Sequence, residues 1–184
     1  MRRRSLVLAL VALAAAVSLA LAGRRLALAV IDLALRASAP DVTAIDPRAL
    51  RDRIARGELI SLVDARSEPE YRASRIPGAM RLDPDAGGLD QLPLLPGEPV
   101  VVYSSVGGRG TALARVLVAR GFTRVGQLSG GVFGWANRGG PLVTGVGVPT
   151  ARVHPVGGVW SVLLGPEHRL ADAASPPPGA WRVP

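Results

Sequence analysis

The sequence of 184 residues contains no cysteine and no lysine, and only 4% of its residues are aromatic. Without cysteine the chain has no disulfide, no cysteine-ligated metal site and no thiolate nucleophile of its own. The two histidines, His154 and His168, stand alone near the end, and two isolated histidines do not predict a metal site. Hydrophobic content is 48%, which is enough for a core built mainly of Ala, Val, Leu and Ile.

All the positive charge is carried by arginine, and the formal net charge is +8. Several of these arginines flank the first apolar run with no acidic residue among them, namely Arg2, Arg3, Arg4, Arg24 and Arg25. A nucleic-acid-binding domain would show a basic stripe with interleaved aromatic residues on its folded part, and the sequence shows none. We therefore expect no nucleic-acid partner.

An uncharged apolar run extends from Ser5 to Ala22. It is long enough for a transmembrane anchor, but Ala20-Leu21-Ala22 before Gly23 also fits a cleaved secretory signal peptide. A soluble core helix is disfavoured because the run has no polar face. The stretch at 26–35 is also apolar and predicts a helix that lies on the membrane surface or extends the first one. We expect a domain exported or anchored at a bacterial cell envelope, on the periplasmic side, although Arg24 and Arg25 leave the orientation open.

Strand and helix patterns alternate after a linker that ends at residue 40. Asp46 and Pro47 are typical of a helix start, and Gly57 of its end. Short runs rich in branched residues predict buried strands, and an amphipathic pattern predicts a further helix. The main predicted strands are Leu59–Val63, Pro99–Tyr103 and Arg124–Leu128, with a helix at Thr111–Arg120. This alternation predicts an α/β domain at 42–144, built on a parallel sheet with helices on both faces. A Pro/Gly-rich tail follows at 145–184. Within the tail we expect the stretch at 159–164 to add an edge strand or to pack on the domain.

The loop from Ser104 to Gly110 follows the strongest strand signal and leads into a helix. Ligands of parallel α/β sheets bind beyond the carboxyl ends of the strands. Backbone N–H groups of a glycine-rich loop and of the helix behind it can converge on an anion. We therefore predict an anion-binding loop composed of Ser104, Ser105, Val106, Gly107, Gly108, Arg109 and Gly110.

Several motifs in order resemble the rhodanese-homology family, over about 42–144. The first signature is carried by Leu62-Val63-Asp64-Ala65-Arg66, Glu70-Tyr71 and Ile76-Pro77-Gly78-Ala79; the strand and active-site loop by Val101–Gly110; and the closing signature by Gly121-Phe122, Val125, Leu128, Gly130-Gly131, Trp135, Gly139 and Pro141. Ser74-Arg75 departs from the Gly-His that usually precedes Ile-Pro-Gly-Ala in the family.

The resemblance implies sulfur transfer by a cysteine at the first loop position, where this chain has Ser104. We therefore expect a small parallel-sheet rhodanese-like domain without sulfurtransferase activity, needing no cofactor and binding a small anion or a protein partner. Three alternatives remain open. Ser104 serves only to shape the loop; the domain is a tethered scaffold without a ligand; or the Ser104 loop belongs to a residual enzyme, either of the sulfurtransferase family or one in which Ser104 is the nucleophile of an ester or phosphoester hydrolase. The hydrolase needs a base, and both histidines lie outside the region of resemblance.

Overall fold

The computed structural model describes residues 22–82 and 93–170. Its central feature is a five-stranded sheet in the order β1-β5-β4-β2-β3, and every neighbouring pair is parallel. The strands are β1 (Thr43–Ile45), β2 (Ser61–Asp64), β3 (Met80–Arg81), β4 (Val100–Tyr103) and β5 (Val125–Leu128). The predicted α/β class and parallel sheet are confirmed.

The α-helices of the described residues are α1 (22–38), α2 (Pro47–Ala55), α3 (Glu68–Ala73), α4 (Gly108–Ala119) and α5 (Gly131–Ala136). Of these, α2, α3 and α4 connect consecutive strands of the sheet, α1 precedes β1 and α5 follows β5. Asp46 caps α2 as the sequence predicts, because its carboxylate accepts hydrogen bonds from the N–H groups of Arg48 and Ala49, with Pro47 at the first helical position.

Alternate strand residues face two separate hydrophobic clusters, so both faces of the sheet are covered. On one face Leu62, Val101 and Leu128 pack with residues of α1, α2 and α5. On the other face Val63 and Val102 pack with residues of α4. The alternation follows from the two-residue period of side chains along a strand. Helices on both faces are therefore confirmed.

The chain after α5 continues to pack on the same core. A hairpin of β6 (Leu142–Val143) and β7 (Pro149–Thr150) leads to two 3-10 helices, Gly158–Leu163 and Pro166–His168. Val153 and Leu164 are fully buried in the cluster that contains α5. Of the two alternatives for the stretch at 159–164, an edge strand or packing on the domain, the structure shows packing. The Pro-rich end beyond 170 lies outside the described residues.

Several elements differ from the prediction: β2 spans Ser61–Asp64 rather than Leu59–Val63, and β5 starts at Val125 rather than Arg124. Helix α4 starts at Gly108 rather than Thr111, because Gly107 adopts a left-handed conformation (φ 119°) that lets the helix begin inside the glycine-rich stretch. Strand β4 starts one residue late, since Pro99 cannot donate to the sheet. Strand β1 was not predicted, because three residues are too few to show a period.

The apolar run at 5–22 lies outside the described residues except for its last residue. Within 22–82 and 93–170, no helix is both long and apolar enough to cross a membrane. Helix α1 itself packs on the domain through Leu28, with Ala27 and Ile31 beside it.

Candidate functional site: the loop after strand β4

The candidate site begins where β4 ends. Ser104 follows the strand directly, is only 2% exposed, and its Oγ accepts a hydrogen bond of 3.2 Å from the N–H of Gly107. Gly107 is the N-cap of α4, so the loop turns into the helix within three residues. The first N–H groups of a helix have no partner inside it, and here they lie at the carboxyl edge of the sheet.

Helix α5 holds the loop from the other side. The N–H groups of Val132 and Phe133 donate to the carbonyl oxygens of Ser104 and Ser105, at 2.8 and 3.1 Å. Gly131 allows this approach, since a Cβ at its position would collide with both carbonyl groups. The Gly130-Gly131 pair thus closes the loop against α5, which gives those glycines the backbone role that the sequence predicts.

A buried carboxylate, Glu70 of α3, connects the loop to the first half of the domain. Its side chain is 6% exposed and accepts hydrogen bonds from Ser67, from the Ser105 hydroxyl and from the Arg109 guanidinium. Burial alone would raise the pKa of Glu70, but the hydrogen bonds from Ser67, Arg109 and Ser105 outweigh it and lower the pKa to about 2. Glu70 is therefore ionised at neutral pH.

This carboxylate was not predicted as part of the site. Its spacing from Ser67 is typical of a capping box, which indicates a role at the start of α3 and nothing beyond it. Its contact with Arg109 joins residues 39 positions apart, which no local pattern could reveal. Because the positive charge of Arg109 is matched by Glu70, an anion at the loop would be attracted mainly by backbone N–H groups.

A second ion pair, which is fully buried, supports the strands behind the loop. Asp64 and Arg66 are both fully buried, and the guanidinium also donates to the carbonyl oxygen of Ser74 at 2.6 Å. The Arg66 guanidinium carbon lies 5.7 Å from the ring centre of Tyr103. The Tyr103 hydroxyl in turn accepts a hydrogen bond from the N–H of Ile76. The pair thus connects β2 to the segment after α3, which is a structural role.

Helix α1 lies over the loop at Gly107. A Cβ at that glycine would stand 2.8 Å from the Leu35 Cδ1 atom and 2.6 Å from the Gln127 Nε2 atom. The next residue, Arg36, donates a hydrogen bond from its guanidinium to the Ser129 hydroxyl at 3.1 Å. A neighbouring cavity of about 160 Å³ lies between α1 and α5, with both arginine and aspartate in its lining but no residue of 104–110. No local pattern in the sequence predicts the contact between α1 and the loop.

Comparison with known proteins assigns the family. The model of the rhodanese-like domain matches residues 46–138. The chain belongs to this family. A sulfurtransferase of Allochromatium vinosum is 32% identical over 102 residues, which are 55% of this chain and 95% of that protein. The protein YibN of Escherichia coli K12 is 32% identical over 96 residues, 50% of this chain and 67% of that one. Among solved structures, the Alr3790 protein from Anabaena is 27% identical with a TM-score of 0.51, covering 54% of this chain and 91% of that one.

Neither histidine is bonded to Ser104 in this rhodanese-like domain. The Nδ1 atom of His154 accepts from the N–H of Val156, and that of His168 lies 2.8 Å from the carbonyl oxygen of Ala151. Across residues 22–82 and 93–170, the hydrogen bond to the Ser104 hydroxyl comes from a backbone amide and not from a general base. The arrangement therefore gives no support to the hydrolase alternative, which needs a base within hydrogen-bond reach of the nucleophile.

Proposed function

We propose that this rhodanese-like domain is a binding module without sulfurtransferase activity, held at the cell envelope. The observation that carries the proposal is Ser104: a buried hydroxyl stands at the head of a fully built loop, in a chain without cysteine. By resemblance to the family, this is the position of the sulfur-carrying cysteine. The relative from Allochromatium vinosum is named a sulfurtransferase, and we do not extend that activity to this chain.

The chemistry of sulfur transfer explains why we expect no sulfurtransferase activity from this chain. A thiolate attacks the sulfane sulfur of a donor, the donor's sulfur–sulfur bond breaks, and the extra sulfur remains on the protein as a persulfide. Cysteine performs this step because its thiol ionises near neutral pH. A serine hydroxyl stays protonated unless a base adjoins it, and the Ser104 hydroxyl contacts a backbone donor instead.

We propose that the loop still binds a ligand, because contacts with the rest of the domain hold its backbone in place. Contacts from α5 fix the carbonyl groups of Ser104 and Ser105, and Glu70 fixes Arg109. With those groups engaged inward, the first N–H groups of α4 remain available to a small anion or to an acidic group of a protein partner. Since the Arg109 charge is balanced, we expect weak binding that depends on shape more than on net charge.

The location belongs to the proposal as well. The run Ser5–Ala22 is uncharged and preceded by three arginines, which fits either a retained anchor or a cleaved signal. A cleaved signal would place the domain outside the cytoplasm; for a retained anchor we favour the periplasmic side, with Arg24 and Arg25 leaving the orientation open. Determining the mass of the mature N-terminus distinguishes the two forms.

A thiosulfate:cyanide sulfurtransferase assay on the purified chain tests the loss of activity. We expect the natural sequence to give no turnover above the rate without protein, and Ser104→Cys to gain turnover. Ser105→Cys is the matched control, since it places a thiol one residue away in the same loop, where the hydroxyl is bonded to Glu70. Turnover by the natural sequence would overturn the proposal.

Thermal unfolding with added sulfate, phosphate or thiosulfate tests the binding. A ligand that binds only the folded state raises the melting temperature with concentration. We expect such a rise, and we expect Gly107→Ala to abolish it, because a Cβ there would force the loop out of position. No response to any of the three anions would favour a scaffold without a small-anion ligand.

A further inference from the structure

The outward face of helix α1 has an unusual composition for the surface of a folded domain. Leu26, Val30 and Leu33 are 67%, 58% and 68% exposed. At about 100° per residue, these three residues lie within about 60° of one another around the helix. The residues that pack inward, Leu28 and Leu35 among them, lie on the opposite side. The exposed stripe is therefore separate from the face that holds α1 on the domain.

Nothing polar interrupts this stripe. The residues within about 80° of its centre are small or apolar, and all are exposed: Ala22, Gly23, Leu26, Ala29, Val30, Leu33, Ala34 and Ala37. A helix that packs one face on a domain and turns the other to water normally carries polar residues on the outer face. Here the acidic residue of the helix, Asp32, lies inward, with its side chain 13% exposed and paired with Arg36.

The surroundings of the stripe indicate what covers it. The uncharged run Ser5–Ala22 leads directly into α1, so a segment suited to a bilayer adjoins the stripe without a linker. Arg25 and Arg36 lie along one flank of the stripe, and both are exposed. Arginines beside an apolar face are typical of helices that lie in the interface of membranes with anionic lipids.

We propose that α1 lies in the plane of a phospholipid surface, with Leu26, Val30 and Leu33 inserted among the lipids. The rest of the domain packs against the opposite face of α1. This proposal rests on the proposed location in its form with a retained anchor, Ser5–Ala22, and it adds the orientation of α1. Because Leu35 contacts the loop at Gly107, the loop would lie within about one helix diameter, 10–12 Å, of the lipid surface. The site would then face ligands that reach it along the membrane.

Site-specific fluorescence on the full chain tests the orientation. Since the chain has no cysteine, Leu33→Cys and Val30→Cys each introduce a single site for the environment-sensitive dye NBD. Leu59→Cys is the matched control, because Leu59 is 89% exposed and precedes β2, away from α1. The labelled proteins are reconstituted into vesicles of phosphatidylcholine and phosphatidylglycerol, with or without a nitroxide-labelled lipid.

We expect NBD at 30 and 33 to shift to shorter wavelength and to be quenched several-fold more by the nitroxide lipid than NBD at 59. Equal, weak quenching at all three positions would overturn the proposal. A blue shift at 30 and 33 without lipid quenching would also overturn it, and would indicate a protein surface such as a second copy of the chain.

Flotation of the same samples separates this inference from the location on which it rests. A chain that floats with the vesicles but shows no quenching at 30 and 33 retains the anchor and refutes only the orientation of α1. A chain that stays in the aqueous fraction refutes both.

Discussion

Glu70→Gln is expected to destabilise the domain in a pH-dependent way. The pKa of Glu70 falls from an ordinary value of 4.5 to about 2 in the folded protein. By linkage, this difference corresponds to about 3 kcal/mol of folding stability at neutral pH. Because the folded-state pKa is the lower one, the contribution is present above about pH 4.5 and is lost as the pH falls towards 2. Because Glu70 is buried but its partner Arg109 is 43% exposed, solvent screens part of this interaction, so we expect the loss to be no larger than about 3 kcal/mol.

Denaturant unfolding of the full chain, at constant detergent and at several pH values, measures this effect. At pH 7 we expect Glu70→Gln to lower the free energy of unfolding by about 3 kcal/mol, and we expect the difference from the natural sequence to shrink between pH 4.5 and 2. Glu68→Gln is the control, because Glu68 is 41% exposed and its ion pairs with Arg72 and Arg81 lie at the surface. Exposed pairs contribute at most about 1 kcal/mol. A loss below about 1 kcal/mol for Glu70→Gln, constant with pH, would refute the reasoning.

Three further substitutions test the packing around the site by the same unfolding measurement. Gly131→Ala is expected to destabilise the domain by more than about 2 kcal/mol, since the φ of Gly131 is +57° and a Cβ would collide with the loop carbonyl groups. Its control is Gly97→Ala, which should change the stability little because the space around Gly97 is open. Leu164→Ala should lose about 2–5 kcal/mol if the segment after α5 belongs to the core, against almost no loss for the 87% exposed Val146→Ala. Asp64→Ala should lower the free energy of unfolding by about 3–5 kcal/mol, because it leaves the buried Arg66 guanidinium without its carboxylate. A loss near zero for any of the three substitutions would contradict the packing described.

The parts of the fold that the sequence predicts are those with local signals. Asp46, Pro47 and Gly57 mark a helix because each residue type satisfies a backbone requirement at a helix end. Strand β4 and the loop after it are evident from a run of valines followed by small residues. Helix α3, Glu68–Ala73, begins with a local signal of the same kind, the capping box formed by Ser67 and Glu70.

The parts that the sequence does not predict depend on contacts between distant residues. Arg109 was expected at the rim of an anion site, yet its guanidinium is bonded to Glu70, which belongs to another helix. In the sequence Leu35 is one more apolar residue after the uncharged run at 5–22, but in the structure it contacts Gly107. Neither relation has a fixed spacing along the chain, so periodicity and capping signals carry no information about them.

The shape of the loop does not depend on a thiol. Helix α5 holds the carbonyl groups of the loop, the left-handed conformation of Gly107 sets its turn, and Glu70 holds Arg109. The γ atom of Ser104 contributes one hydrogen bond of 3.2 Å to this arrangement. A serine satisfies that bond, and a cysteine in its place would leave every other contact intact. The fold therefore determines the conformation of the loop, whereas reactivity would depend on a single atom, the sulfur of a cysteine at position 104. That separation is why Ser104→Cys, and not a redesign of the loop, is expected to introduce sulfur transfer.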